Sequence, residues 1–229
     1  MIDIHAHMLP LVDDGSESES QSLEMLKEAQ RQGVTHLIVT PHYRYDYSSS
    51  VVALKKAFKD FCSFKDANNI PIKLFLGQEV YIPKDFDSIN KKEVLTLNET
   101  NYLLIEFSTV ENANVLDAVY EILQQGYVPI IGHVERYSYI SLEQIMEMRE
   151  MGCKIQVNAD TVCRTLPFRL SKRTRKLLRL GLVDFIASDM HYERVNYMEK
   201  AKQYVTKKHG KSYADKLFYG NAKEIVGEK

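Results

Sequence analysis

Seven short apolar runs rich in β-branched residues recur along the chain, at 2–4, 36–40, 72–76, 102–106, 128–131, 154–158 and 183–187. Runs of this length, bounded by polar residues, read as strands. Stretches of helical spacing lie between them at 18–32, 50–67, 112–125, 141–151, 171–180 and 193–208, with a last one near 211–219. The first sets Leu23 and Leu26 at helical spacing and stops at Gly33, a C-terminal signal. The second carries Val51, Leu54, Phe58 and Phe61 on one face. The connection between 76 and 102 has the weakest helical pattern. Strands that alternate with helices imply parallel βα units. Seven units in 229 residues take about 33 residues each, the usual size of such a unit. That number favours a barrel-like sheet over an open one. No Gly/Ser linker, low-complexity tract or repeat interrupts the pattern, so residues 1–229 read as a single domain.

The polar residues gather at one end of these runs. The first run ends in His5-Ala6-His7, the second in Thr40-Pro41-His42 and the third in Gly77-Gln78-Glu79. The fourth ends in Glu106, the fifth in Gly132-His133, the sixth in Asn158-Ala159-Asp160 and the seventh in Ser188-Asp189-Met190-His191. C-terminal strand ends are where catalytic groups converge in parallel α/β barrels. Five of the seven histidines sit there, and the other two, His36 and His209, read as structural or solvated. His5/His7 and Asp189/His191 are spaced i, i+2, so in extended backbone both members of each pair face one centre. Asp13 and Asp14 follow in the first loop. Imidazoles and carboxylates without thiolate suit manganese, iron, zinc or cobalt. Nine candidate ligands exceed the needs of one ion, so two or three ions sharing carboxylates is the natural reading. Such clusters activate water and clamp an in-line displacement at phosphorus.

Charge and composition narrow the function further. Thirty basic residues against 31 acidic ones leave a net charge of -1, unlike the basic balance of a dedicated nucleic-acid binder. No apolar run approaches the ~18 residues of a membrane span. The first residues lack the basic and apolar regions of a signal peptide. Three cysteines, Cys62, Cys153 and Cys163, are an odd number without framework spacing. Together these features predict a cytoplasmic enzyme with neither nucleic-acid partner nor membrane insertion.

The ordered motifs resemble the PHP (polymerase and histidinol phosphatase) superfamily. They are His5-x-His7, Asp13-Asp14-Gly15, Thr40-Pro41-His42, Gly77-Gln78-Glu79-Val80, Glu106-Phe107, Gly132-His133-Val134-Glu135-Arg136 and Ser188-Asp189-Met190-His191. Within the superfamily the chain is similar to the manganese-dependent protein tyrosine phosphatases of bacterial capsule and exopolysaccharide operons. The resemblance covers almost the whole chain. It implies a distorted TIM-like (β/α)7 barrel with a site of two or three divalent ions, manganese first, with iron, zinc or cobalt as the other candidates. The implied ligands are His5, His7, Asp14, His42, Glu79, Glu106, His133, Asp189 and His191. The resemblance makes Arg136 the phosphate-binding arginine and gives it, Asp14 and His42 the catalytic roles. Arg194 follows the D-x-H motif where the family often places a second substrate arginine. The implied substrate is a phosphotyrosine cluster on a bacterial tyrosine kinase that controls polysaccharide export. The alternatives within the superfamily are histidinol-phosphate phosphatase or another phosphoesterase.

Three further features carry a functional and a bland reading each. Cys163 and Arg169 have the C-x5-R spacing of thiol-based tyrosine phosphatases. The intervening segment lacks glycine and contains Pro167, which has no N–H to offer a phosphate, so a chance match is favoured. Segment 164–179 holds seven basic and no acidic residues. It could hold an acidic or phosphorylated partner, but a solvated helix packing Phe168, Leu170, Leu177 and Leu178 on the barrel is the favoured reading. Tyr43, Arg44, Tyr45 and Tyr47 either wall a phosphotyrosine pocket, with Arg44 on the phosphate, or simply cover the barrel mouth.

Overall fold

The computed structural model describes residues 1–47, 49–83, 86–163 and 168–228. Strands and helices alternate through much of it, but among the described residues no α-helix separates the strands at 36–39 and 42–43, or those at 73–76, 79–81 and 102–106. The order is β1 (Ile2–Ala6), α1 (Glu19–Arg31), β2 (His36–Val39), β3 (His42–Tyr43), α2 (Val51–Ala67), β4 (Lys73–Leu76), β5 (Glu79–Tyr81), β6 (Tyr102–Glu106) and α3 (Val115–Gln124). There follow β7 (Val128–Ile131), α4 (Leu142–Met151), β8 (Lys154–Asn158), α5 (Ala159–Cys163), α6 (Phe168–Arg179), β9 (Phe185–Ala187), α7 (Met198–His209) and α8 (Lys211–Phe218). Serine caps fix three helix starts. Ser18 accepts from Gln21 N–H, Ser50 from Ala53 N–H, and Ser141 forms a capping box with Gln144. Each such cap contributes ~1 kcal/mol.

Every strand pairs in parallel, in two sheets ordered β1-β2-β4 and β3-β5-β6-β7-β8-β9. The break between the sheets has a chemical cause. Pro41 lacks an N–H, so the β2 ladder stops at Val39 and resumes at His42. Gly77 interrupts β4 and β5 because a Cβ there would lie 2.5 Å from Cδ2 of Leu97. Two backbone hydrogen bonds cross the break, Gly77 N–H to Val39 O (2.9 Å) and Glu79 N–H to Pro41 O (3.2 Å). At the far end Asp189 N–H donates to His5 O and His7 N–H to Met190 O, both at 2.9 Å. The described ladders are thus two parallel sheets with bridging bonds and not one closed sheet.

One face of the strands buries Ile2, Ile4, Ile38, Leu104, Ile130, Phe185 and Ala187, closed from below by Leu97, Ala222, Ile225 and Val226. A larger cluster packs the opposite strand faces against the helices. Strict alternation would turn His5 and His7 away from the layer that holds Ile2 and Ile4. The register of β1 on β2 shifts between Asp3 and Ala6, and this bulge resets the alternation.

Several expectations are corrected here. The connection 77–101 forms β5 and two 3-10 turns (Lys91–Glu93, Leu97–Glu99), with no α-helix among its described residues. The helix foreseen over 112–125, starting at Asn112 or Asn114, takes Asn114 as its N-cap and runs from Val115, whereas the one foreseen from 193 begins only at Met198. The residues before Met198 are used by the loop that carries His191 and Arg194. Helix α6 starts at Phe168, but Phe168 is 67% exposed and does not pack inward as expected. Its buried residues are Ser171, Thr174, Leu177 and Leu178, and Leu170 is half-buried. The stretch 164–167 lies outside the described residues.

Candidate metal centre

All nine residues of the implied ligand set come together at the C-terminal strand ends. They fall into four overlapping groups whose donor atoms lie within 4.8 Å of one another: His7/Asp14/His42/His191, His5/His7/Asp189, His5/Glu79/His133 and His42/Glu79/Glu106. The polar layer sits directly above the inner apolar layer. Leu104 and Glu106 share a face of β6, and Asp189 lies two residues beyond Ala187, the last residue of β9. Asp160, counted with the sixth run, lies in α5 and joins none of these groups.

The spacings are those of donors around ions. Donors bound at ~2.1 Å to one ion sit roughly 3.0–3.4 Å apart in octahedral or tetrahedral geometry. Nε2 of His5 and Nε2 of His7 face each other at 3.1 Å, and each lies 3.3 Å from Oε2 of Glu79. Nε2 of His42 and of His191 each lie 3.4 Å from Oδ1 of Asp14. Nδ1 of His42 lies 3.2 Å from Oε1 of Glu106, yet both atoms are buried without a hydrogen bond. The buried, orphaned Nδ1 of His42 and Oε1 of Glu106 are costly where they stand. A divalent cation shared among them removes that cost, so the residues fit metal ions.

Electrostatics agree with this. Against burial, His5, His133 and His42 hold the Glu79 carboxylate well below its ordinary range. Hydrogen bonds from His191 and His42 do the same for Asp14. Burial pushes His7 down, but the Asp13 and Glu79 carboxylates outweigh it and raise the imidazole to about 9. Glu79 and Asp14 are thus held ionised, and the His7 imidazole carries a proton that a cation would displace.

A supporting layer orients these donors, and sequence reasoning missed most of it. Asp13 Oδ2 accepts from Nδ1 of His7 (2.7 Å) and from the His42 N–H (3.1 Å), leaving Nε2 of His7 aimed inward. Gly15 closes this loop against His7, where a Cβ would lie 2.1 Å from the His7 carbonyl oxygen. Gln156 Oε1 accepts from the His133 N–H and lies 3.1 Å from Nδ1 of His5. Its amide nitrogen donates to Asn158 Oδ1, and Asn158 Nδ2 donates to Asp189 Oδ2 (2.8 Å). The Tyr137 hydroxyl lies 3.1 Å from Nδ1 of His133. His133 and Asp189 adopt positive φ, 33° and 49°, a strain that clusters at functional sites. Gln156 lies in the interior of β8, where a single polar residue carries no signal of its own in the sequence.

The arginines divide. Arg136 Nη2 and Arg194 Nη1 both donate to Asp189 Oδ2, at 2.6 and 2.9 Å. Oδ1 of the same carboxylate faces His5 and His7 at 3.6 and 3.7 Å. Arg44 instead forms a bidentate pair with Asp46 and lies over the Tyr47 ring, which stacks on His42. Asp14 is the one half-exposed member of the nine, and beside it opens a cleft of ~410 Å³ lined by Gly15, Gln21, His191, Tyr192 and Arg194. The Cys163 thiol donates to the Ala159 carbonyl, and burial raises its pKa, the reverse of what a nucleophilic thiolate needs. His36, whose Nε2 lies 2.8 Å from Oε1 of Glu228, stands apart from the cluster.

Parallel βα units bearing a histidine and carboxylate cluster at their strand ends define a PHP-like α/β protein. Residues 1–227 match the model of capsular polysaccharide synthesis proteins CpsB/CapC, and the chain belongs to that family. It is 34% identical to the tyrosine-protein phosphatase CpsB of Streptococcus pneumoniae, over 99% of this chain and 98% of that one. It is 30% identical to the tyrosine-protein phosphatase YwqE of Bacillus subtilis, over 99% and 91%. The fold superposes on a crystal structure from work on YwqE and CpsB, described as unique metal-dependent tyrosine phosphatases. The TM-score is 0.91 at 28% identity, covering 100% of this chain and 96% of the other. A histidinol phosphate phosphatase from Lactococcus lactis shares the fold alone, with TM-score 0.58 at 15% identity over 91% and 93%.

Proposed function

We propose that the chain is a metal-dependent protein tyrosine phosphatase that acts on a phosphorylated bacterial tyrosine kinase of capsule or exopolysaccharide synthesis. The observation that carries this reading is the convergence of nine His, Asp and Glu side chains at ion-binding distances, in a chain of this family. His5, His7, Asp14, His42, Glu79, Glu106, His133, Asp189 and His191 would hold two or three divalent ions, manganese by preference. The ions supply Lewis acidity and an activated water at neutral pH. The protein acts in the cytoplasm, a reading supported by its three free cysteines and by the lack of any helix long and apolar enough to cross a membrane among the described residues. The two sheets are parts of one distorted seven-unit barrel and one domain, a reading supported by the bonds from Gly77 to Val39 and from Asp189 to His5.

The chain's own residues would perform the rest. Arg136 spends one N–H group on Asp189 Oδ2, Arg194 Nη1 donates to both Oδ2 and the backbone carbonyl of Asp189, and the other N–H groups of each arginine would serve phosphoryl oxygens. Fixed in place by that carboxylate, they would neutralise charge that grows on those oxygens in the transition state, without reorganisation. Asp14, at the open side, sits where the leaving phenolate departs toward solvent. Phenolate is a good leaving group and demands little from an acid. Arg44 is held by Asp46 and acts through the Tyr47 ring as part of the wall over His42.

The test is turnover of a phosphotyrosine peptide with and without chelator, with metal analysis of the protein. Activity lost in chelator and restored by manganese supports the reading. Full activity in chelator with loss on thiol alkylation, or an order-of-magnitude preference for histidinol phosphate, overturns it.

A further inference from the structure

Outside the metal centre, the most unusual surface is a basic cleft between α6 and α7. Phe168, Lys172, Arg175 and Arg179 fall at i, i+4, i+7 and i+11 and form one stripe along α6. Tyr204, Lys208 and His209 of α7 face them across a cleft of ~430 Å³. No carboxylate lines it among the described residues. Lys172, Arg179 and Lys208 are exposed and form no ion pair among the described residues. Arg175 is committed to the wall: its Nε donates to the Val162 carbonyl and its guanidinium lies over the Tyr204 ring.

This charge is not needed to hold the helix. The inner face of α6 is anchored by Leu177 and Leu178, by the Thr174–Thr161 hydroxyl contact and by the bond from Arg173 to the Ile140 carbonyl. Like charges at i, i+4, such as Lys172 with Lys176 and Arg175 with Arg179, weaken a helix. Burial and then the Arg179 charge push His209 below its ordinary value, a sign that positive potential in the cleft is unopposed. The inner face also backs the turn Val134–Arg136, so the cleft and the metal centre lie on opposite sides of one helix.

We propose that the α6–α7 cleft docks an acidic polypeptide segment of the phosphoprotein substrate, away from the tyrosine being hydrolysed. This rests on the phosphatase reading above. A polypeptide fits better than a nucleic acid. Outside 164–179 the chain has 23 basic and 31 acidic residues, a net charge of -8, which repels a long phosphate backbone. The cations span only a short stripe, and the exposed Phe168 ring at one end offers an apolar contact.

The experiment compares the metal-loaded protein with its Lys172→Glu/Arg179→Glu variant and, on the facing helix, Lys208→Glu. Binding of an unphosphorylated random copolymer of glutamate and tyrosine is measured by fluorescence anisotropy. Charge reversal should weaken it about tenfold, the expected loss for a few exposed ion pairs, and added salt should weaken the wild type in the same direction. The KM for the phosphorylated copolymer should rise with little change in kcat, while turnover of p-nitrophenyl phosphate and the melting temperature stay the same. Equal copolymer binding by all proteins, or stronger competition by a single-stranded oligonucleotide than by the copolymer, overturns the docking proposal. Absence of p-nitrophenyl phosphate turnover in the wild type would instead sink the phosphatase reading, with copolymer binding still to be read on its own.

Discussion

Gln156 Oε1 lies 2.9 Å from the backbone nitrogen of His133 and 3.1 Å from Nδ1 of His5. One buried amide oxygen thus holds two strands' worth of donors in register. It fixes the left-handed turn at His133 and leaves Nε2 of His5 directed at the cluster.

Gln156→Leu should therefore lower metal affinity by ~10–100-fold, as loss of outer-shell partners does. Titration of the stripped protein with manganese would measure it. Gln156→Glu keeps the acceptor oxygen and should retain more affinity. Equal affinity in wild type and Gln156→Leu would show that the amide orients nothing.

Removing the ions should destabilise the fold, because nine buried or half-buried donors are left facing one another. Anything that binds only the folded state stabilises it, by about 2.7 kcal/mol at a hundredfold excess over its dissociation constant. Scanning fluorimetry should show a melting temperature that rises with manganese concentration and falls in chelator. A melting temperature indifferent to both would argue against an ion cluster.

Arg136→Ala should reduce kcat/KM for a phosphotyrosine peptide by about 10²–10³, the usual cost of losing one donor to developing charge. Arg136→Lys should recover only part, since an ammonium cannot hold Asp189 and a phosphoryl oxygen in one plane. Metal content, read in parallel, separates a substrate role from a purely positional one: if it collapses in Arg136→Ala, the arginine serves Asp189.

Far from the cluster, Arg149 grips Asp184 through Nε (3.2 Å) and Nη2 (2.9 Å), and the same carboxylate accepts from the Ile155 N–H. The pair ties α4 to the β8–β9 edge. Arg149→Met should cost ~2 kcal/mol of unfolding free energy, the scale of hydrogen bonds to charged groups, with turnover unchanged. Urea denaturation of the metal-loaded protein would read this.

Burial holds the His36 imidazole below its ordinary pKa, although the Glu228 carboxylate 2.8 Å away opposes the shift. A histidine with a depressed folded pKa binds fewer protons folded than unfolded, so its contribution to stability falls as pH drops below ~6.5. Between pH 7.5 and 5.5, His36→Gln should lose less stability than the wild type. An equal loss in both would mean the ion pair offsets the burial.

Much was legible in sequence because it is local. A strand end bearing His-x-His or Asp-x-His announces itself, and so does the stop of α1 at Gly33, which adopts positive φ. The helix start at Met198 was misjudged, since nothing local distinguishes a polar loop that must reach a distant site from a polar first turn. Phe168 was assigned inward on apolarity alone, yet α6 turns that side to the open cleft.

The family resemblance implied the particular nine donors; by itself, the sequence determined the alternation of parallel βα units and the gathering of histidines and carboxylates at one end of the sheet. Those follow from periodicity and from which side chains can bind a cation. Only the tertiary structure decided that the β1 bulge brings His5 and His7 above the inner apolar layer, that Gln156 and Asp13 orient the imidazoles, and that Arg136 and Arg194 meet on one oxygen of Asp189. Those are contacts between residues up to 151 positions apart, and their geometry is set by sheet register and packing, which no local pattern encodes.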